Sequence, residues 1–343
     1  MAVEMPEYNQ KFQIKNKDLM WSAKTFTSSI LISLVFSMIL YTFMLAVSEP
    51  APVSEAITST ASAATAKVVV TAEYINPMWA IFIFNSLAVF SASVGTGLFL
   101  LIHPLLVRDI ELRTDNRVYS FFSVSFEKLL MPLNRLLQKI VSSRDQDFSA
   151  LSKTGSEREG TIWQYCGYEK DDYRMFAYML PHIVPLMILV VNGFLIGILL
   201  AFFIFDGAMT GFRLFGEKGI IVGLLYNVTY FFISIVPHGI IEIPVILLAA
   251  AVGRRFAYIQ SHEVIDKELF LGDSIESLKN DVSNVMSTVK EYLNSRYLWK
   301  SFALMAIMLL IAAYIETYVT LRISENVMYL LDSGIDTYFT GNQ

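Results

Sequence analysis

The chain has 343 residues, 55% of them hydrophobic and only 17% charged, with a mean hydropathy of +0.51. A soluble domain carries roughly a quarter charged residues, and here the shortfall is concentrated in long blocks nearly free of charge. A formal net charge of −5 argues against nucleic acid as a partner, because phosphate binding needs a basic surface. The single cysteine, Cys166, excludes an internal disulfide and a thiolate metal cluster.

In chain order, residues 1–24 form a polar leader bearing Lys11, Lys15, Lys17 and Lys24. The apolar block Thr25–Val47 follows. It exceeds the about 7–15 residues of a cleaved signal's apolar region, so it reads as an uncleaved anchor. Further blocks lie at Pro77–Ile102, Leu180–Phe205, Gly219–Val236, Gly239–Gly253 and Ser301–Thr320. About 20 helical residues cross a hydrocarbon core ~30 Å thick. By that measure four blocks are long enough, Gly219–Val236 is marginal and Gly239–Gly253 is short.

The expected organisation is a cytosolic leader (1–24) and a first pair of transmembrane helices (25–102), joined by an extracytoplasmic linker at 48–76. A basic cytosolic loop (103–179), a transmembrane core (180–253), a cytosolic helical segment (254–300) and a last span with an extracytoplasmic tail (301–343) complete it. The linker is rich in Ala, Ser, Thr and Pro, a flexible composition.

Lys and Arg set the expected orientation. The leader holds four, the loop after His103 eleven and the stretch from Arg254 to Lys300 seven, so 22 of 26 lie on one side. The positive-inside rule makes that side cytosolic. The chain is then a multi-pass cell-membrane protein with its N-terminus inside and its C-terminus outside. The chain must cross an odd number of times between Arg213 and Arg254. Two blocks lie there, separated by Pro237-His238-Gly239. The expected fold is therefore an all-α transmembrane bundle of five full spans plus a short broken or re-entrant helix, with amphipathic cytosolic helices.

Two cytosolic stretches have helical periodicity. Near Tyr119–Val141, Phe122, Phe126, Leu129 and Leu130 alternate with charges, and Pro132 interrupts the pattern. This stretch suits either an interfacial helix on lipid or a helix packed on the protein itself. Further on, Ile275, Leu278, Val282, Val285, Val289 and Tyr292 recur at heptad spacing. They form a seam for a second copy or partner, or the inner face of a helix packed within the chain. Asp273 and Glu276 supply a start signal of the capping-box kind.

The densest chemistry lies at Pro237-His238-Gly239-Ile240-Ile241-Glu242-Ile243-Pro244. His238 and Glu242 are four apart and share a helix face. An ionised side chain at the bilayer centre costs ~2.5–3.5 kcal/mol on insertion scales, so such residues persist when paired or lining a polar path. Pro237 suits a helix start at His238, whose free N–H groups could face an anion. The pair reads as a structural clamp, a proton or ion relay, or part of a metal site. Two local ligands fall short of the three or four that zinc takes, so no metal site is assigned.

Asn85, Asn192-Gly193, Asn227 and Glu316 are further polar positions within apolar blocks. The asparagines read as hydrogen-bonding glue between helices, with Gly193 and Gly197 allowing close approach. Phosphate-binding loops, serine-hydrolase elbows, zinc-protease motifs and dinucleotide-binding glycines are absent, so neither enzymatic activity nor a cofactor is expected.

The octet Pro237–Pro244 resembles the signature of the stage II sporulation protein M family, and Asn192-Gly193 resembles that family's Asn-Gly pair. Asn85 is a looser match, and the likeness spans about residues 78–255 with the last span included. The resemblance implies an all-helical membrane protein of about five spans. It also implies a scaffold, since the sporulation member recruits cell-wall-degrading enzymes. The basic loop and the heptad-bearing helix depart from that pattern. The expected function is thus a non-enzymatic organiser that meets lipid and either further copies or other envelope proteins. The alternative is a transporter or channel with a proton or ion site at His238-Glu242.

Overall fold

A computed structural model describes residues 11–47, 73–142 and 159–340, with the single positions 59, 70 and 71. The linker expected at 48–76 lies mostly outside the described residues. Among those described there is no strand.

The helices are α1 (Asn16–Val47), α2 (Pro77–Asp115), α3 (Arg117–Ser142), α4 (Lys170–Phe215), α5 (Glu217–Asp266), α6 (Ile275–Leu293) and α7 (296–340). A π turn, Ser91–Gly95, and a 3₁₀ turn, Leu100–Ile102, interrupt the α geometry of α2. A second π turn, Ile315–Thr320, interrupts α7. Five of these helices, α1, α2, α4, α5 and α7, are long and apolar enough to cross a membrane.

The chain divides into two compact units. The apolar unit comprises Asn16–Ser91, Leu186–Ala251 and Lys300–Gln343. In it α1 is patterned inside out. Ser22, Ser29, Ser33 and Ser37 are buried, while Leu31, Phe36, Ile39 and Phe43 are exposed. A helix in lipid gains nothing by hiding leucine, so small residues mark its contacts and let backbones approach. The Ser29 hydroxyl donates to the Thr25 carbonyl at 2.8 Å, which satisfies it within its own helix. Opposite lie Gly193 and Gly197 of α4, where an added Cβ would collide with the Ser29 side chain, the Ser33 hydroxyl and the α1 backbone. The close approach expected at these two glycines is therefore present. Tyr41 and Ala201 continue this contact, with Phe205 against the Tyr41 ring at 5.4 Å.

Helices α4 and α5 form a hairpin that turns at Gly216, which has φ +63°. Below the turn, a Cβ on Gly211 would strike the Gly219 carbonyl, and one on Gly207 would strike that of Gly223. The two Gly-x-x-x-Gly pairs thus set the spacing of the hairpin.

Helix α5 corrects the expected topology. Gly219–Val236 and Gly239–Gly253 belong to one helix of 50 residues that passes through Pro237 and Pro244 without a break. There is no re-entrant segment and no helix start at His238, so its backbone N–H groups are not free to face an anion. An internal proline costs about 3 kcal/mol in a helix in water, but neighbouring helices in a bundle can re-satisfy the freed groups. Likewise α3 runs on through Pro132, where an interruption was expected, and α4 through Pro181 and Pro185.

The second unit comprises Met1–Lys15, Ala92–Pro185 and Val252–Trp299. Its core is aromatic. Phe256 stacks on Tyr292 at 4.1 Å, and Phe12 meets Tyr292 edge-on at 5.3 Å. The Tyr292 hydroxyl donates to the Ser93 carbonyl at 3.0 Å. The Lys11 ammonium bonds Glu291 at 2.9 Å and Glu263 at 3.2 Å.

Helix α6 starts one residue later than expected, with the Ser274 hydroxyl accepting from the Ser277 N–H at 3.1 Å. Asp273 instead pairs with Lys170 at 3.1 Å. The heptad positions Leu278, Val282, Val285, Val289 and Tyr292 are all buried within the chain, at 5% exposure or less. Only Ile275 is half-exposed. The helix uses its seam to pack on its own protein, so that face is not available to a second copy.

Candidate functional site

The apolar unit brings three titratable side chains together at one place. On α5, His238 and Glu242 are one turn apart and face the same side, as their spacing requires. Glu316 of α7 joins them, and ligand atoms of the three residues lie within 4.8 Å of one another. From α2, the Asn85 amide donates to the Glu242 carboxylate. Three helices thus contribute to the cluster.

The two acids arrive by different local means. Glu242 is placed by ordinary helical register between Pro237 and Pro244. Glu316 sits in the π turn Ile315–Thr320, where the Thr320 hydroxyl reaches back five residues to the Ile315 carbonyl at 3.2 Å. A π turn inserts one residue into an α-helix and re-aims the side chains around it, and such turns are frequent at functional sites.

The pairing differs from the local clamp that the motif suggests. The ion-pair contact of His238 is with Glu316, Nε2 to Oε2 at 4.0 Å, which is beyond hydrogen-bond range. The His238 Nδ1 is buried without a partner, and its side chain is only 12% exposed. Neither carboxylate is ion-paired with Lys or Arg among the described residues. A buried polar atom without a partner costs about 1–3 kcal/mol, and among the three side chains that cost falls on His238 Nδ1.

The other sequence-predicted positions fall elsewhere. Pro237 and Pro244 are internal to α5, and Gly239 faces its own helix neighbours Ile235 and Ile243. Asn192 does not bridge helices; its amide donates to the Ile188 carbonyl of its own helix at 2.7 Å. Asn227 does bridge helices, donating to Asp206 of α4 at 3.0 Å. Asp206 was not singled out in the sequence because it stands just beyond an apolar block. The Gly-x-x-x-Gly pairs of the α4–α5 hairpin were legible in the sequence and passed over. The other histidines serve the second unit, where His103 stacks on Phe270 at 5.9 Å and His182 Nε2 lies 3.2 Å from the Ser261 hydroxyl.

Residues 173–321 match the family described as Stage II sporulation protein M. The resemblance carried by the Pro237–Pro244 octet therefore holds, and the match takes in the last span as expected but begins at 173 rather than near 78. The match excludes α1, α2 and Asn85, and it includes Glu316. With five helices able to cross a membrane, this is a helical membrane protein. No curated protein and no solved structure matches the chain.

Proposed function

We propose that the protein is a multi-pass carrier or channel that takes up a cation at the cluster of His238, Glu242, Glu316 and Asn85. The observation that carries this reading is the convergence of two carboxylates and an imidazole, without a Lys or Arg partner among the described residues, on helices long and apolar enough to cross a membrane. Intramembrane ionisable groups are rare and costly, and those retained commonly mark ion pathways.

The orientation proposed from charge puts the N-terminus in the cytosol and the C-terminus outside. Helix α5 then crosses once, with Arg254-Arg255 at its cytosolic end. Along α5, ~24 Å of helix separates His238 from Arg254, and along α7 a similar length separates Glu316 from Lys300. Both helices therefore bring the cluster to one depth, inside a core ~30 Å thick.

The test is ion flux in proteoliposomes, read with proton-sensitive and metal-sensitive dyes. Wild type should carry flux that His238→Ala and Glu316→Gln abolish, with elution and helix content unchanged. Absence of flux for every cation tried would refute the carrier.

A second reading, a non-enzymatic scaffold, is favoured by a separate observation. On α3 the side chains of Phe121, Phe122, Phe126 and Leu129 are each more than 60% exposed, and Glu127 and Lys128 lie between them. Such a face suits lipid or another envelope protein. Purification in mild detergent with a constant companion, lost on Phe122→Ser with Leu129→Ser, would move weight to the scaffold.

A further inference from the structure

We infer that His238, Glu242 and Glu316 together bind one divalent first-row transition-metal ion, with Asn85 holding the Glu242 carboxylate in place. This rests on reading the cluster as a cation site, but it names the cation class and does not require transport.

The donor set points to the class. One imidazole nitrogen and two carboxylate oxygens match the three-protein-ligand sites of zinc and its neighbours, which leave a position open for water or a passing ligand. Calcium takes six to eight oxygens, and magnesium keeps most of its water, so neither has use for a buried imidazole. Imidazole favours the transition ions in the order of their nitrogen affinity.

Charge points the same way. Two ionised carboxylates in hydrocarbon are expensive, and the described residues give them no Lys or Arg. A dication with two carboxylates and a neutral imidazole sums to zero, which a monovalent ion does not achieve.

Geometry sets the remaining requirement. Ligand atoms on a tetrahedral ion with bonds of about 2.0–2.2 Å lie ~3.4 Å apart. Here they lie within 4.8 Å of one another, so side-chain rotation of ~1 Å closes the shell. His238 is free to turn, because neither ring nitrogen is tied by a hydrogen bond. The Asn85 amide supplies the outer contact that ligating carboxylates usually have.

The experiment uses the full chain, stripped with chelator in mild detergent and titrated with Zn²⁺ alone by calorimetry, with metal content measured after gel filtration. One Zn²⁺ per chain is expected, with Kd of about 1 μM or below. His238→Ala and Glu316→Gln should each weaken it by ~100-fold or more, and Asn85→Leu by ~10–100-fold. Glu276→Gln, on exposed α6 surface, should leave it unchanged. Helix content and elution volume of each metal-free variant separate a lost ligand from a lost fold. Cobalt substitution adds the intense visible d–d bands of a tetrahedral site, where a hydrated surface ion gives only weak ones. A folded wild type that retains no Zn²⁺, or binding indifferent to both ligand substitutions, overturns the inference. Proton flux in the same preparation would then leave the carrier standing, whereas bound Zn²⁺ without any flux keeps the metal site and removes the carrier.

Discussion

Replacing Glu316 by leucine separates a site kept for function from a clamp kept for stability. A charged residue costs up to ~2.5–3.5 kcal/mol at the centre of a membrane helix on insertion scales and less towards its ends, while leucine is favourable by ~0.3–0.6 kcal/mol. Glu316 recovers part of that difference. Its side chain is 32% exposed, and its ion-pair contact, His238, stands 4.0 Å away. Allowing for that solvent contact, Glu316→Leu should raise stability by about 1–2 kcal/mol in metal-free protein, an increase in Tm of a few degrees. Glu242→Leu is a poorer probe, because it strands the Asn85 donor at a cost of about 1–3 kcal/mol. The assay is thermal unfolding in one detergent, followed by tryptophan fluorescence and by the fraction still monodisperse after heating. Zn²⁺ retention is measured on the same samples and should be lost. A fall in Tm of similar size would refute the reasoning, since the carboxylate would then hold α5 to α7.

Three further outcomes are expected. Gly211→Ala should destabilise the α4–α5 hairpin by about 1–3 kcal/mol, because its methyl meets a carbonyl that cannot move aside, whereas Gly334→Ala, with nothing within 4 Å, should be neutral or slightly stabilising in the same melts. Leu278→Asp with Val285→Asp should expose α6 to protease rather than change the particle size of folded protein, because both side chains are buried within the chain at 2% and 1% exposure. Burial pushes the Cys166 thiol up to about 11, so maleimide should label native protein slowly at pH 8 and quickly in denaturant. The native state keeps that proton longer than the unfolded chain does, so the contribution is present below the ordinary thiol value of about 9 and is lost as pH rises towards 11. Hydrogen-ion titration of unfolding over that interval checks the sign.

Helical class and helices long and apolar enough to cross a membrane follow from the residues alone. Apolar length and the placement of Lys and Arg are properties of short windows, and the bilayer acts on those windows directly. The motif was legible for the same reason. Histidine and glutamate four apart within an apolar run share a face wherever that run is a helix. Even the pairing of Gly193 and Gly197 with a neighbouring helix could be read from their size.

What tertiary structure decided concerns residues far apart in sequence. Proline signals a break locally, yet α5 runs through Pro237 and Pro244 because a bundle can absorb the lost hydrogen bonds. A heptad seam reads alike whether its partner is another chain or the same one, and only packing shows Leu278 and Val285 already covered. Glu316 stands 74 positions beyond Glu242, and a π turn, which no periodicity announces, directs it to the same point. Spacing fixes which side chains share a helix face; which helices then face each other is set by the small residues that let backbones touch, and that choice is made in three dimensions.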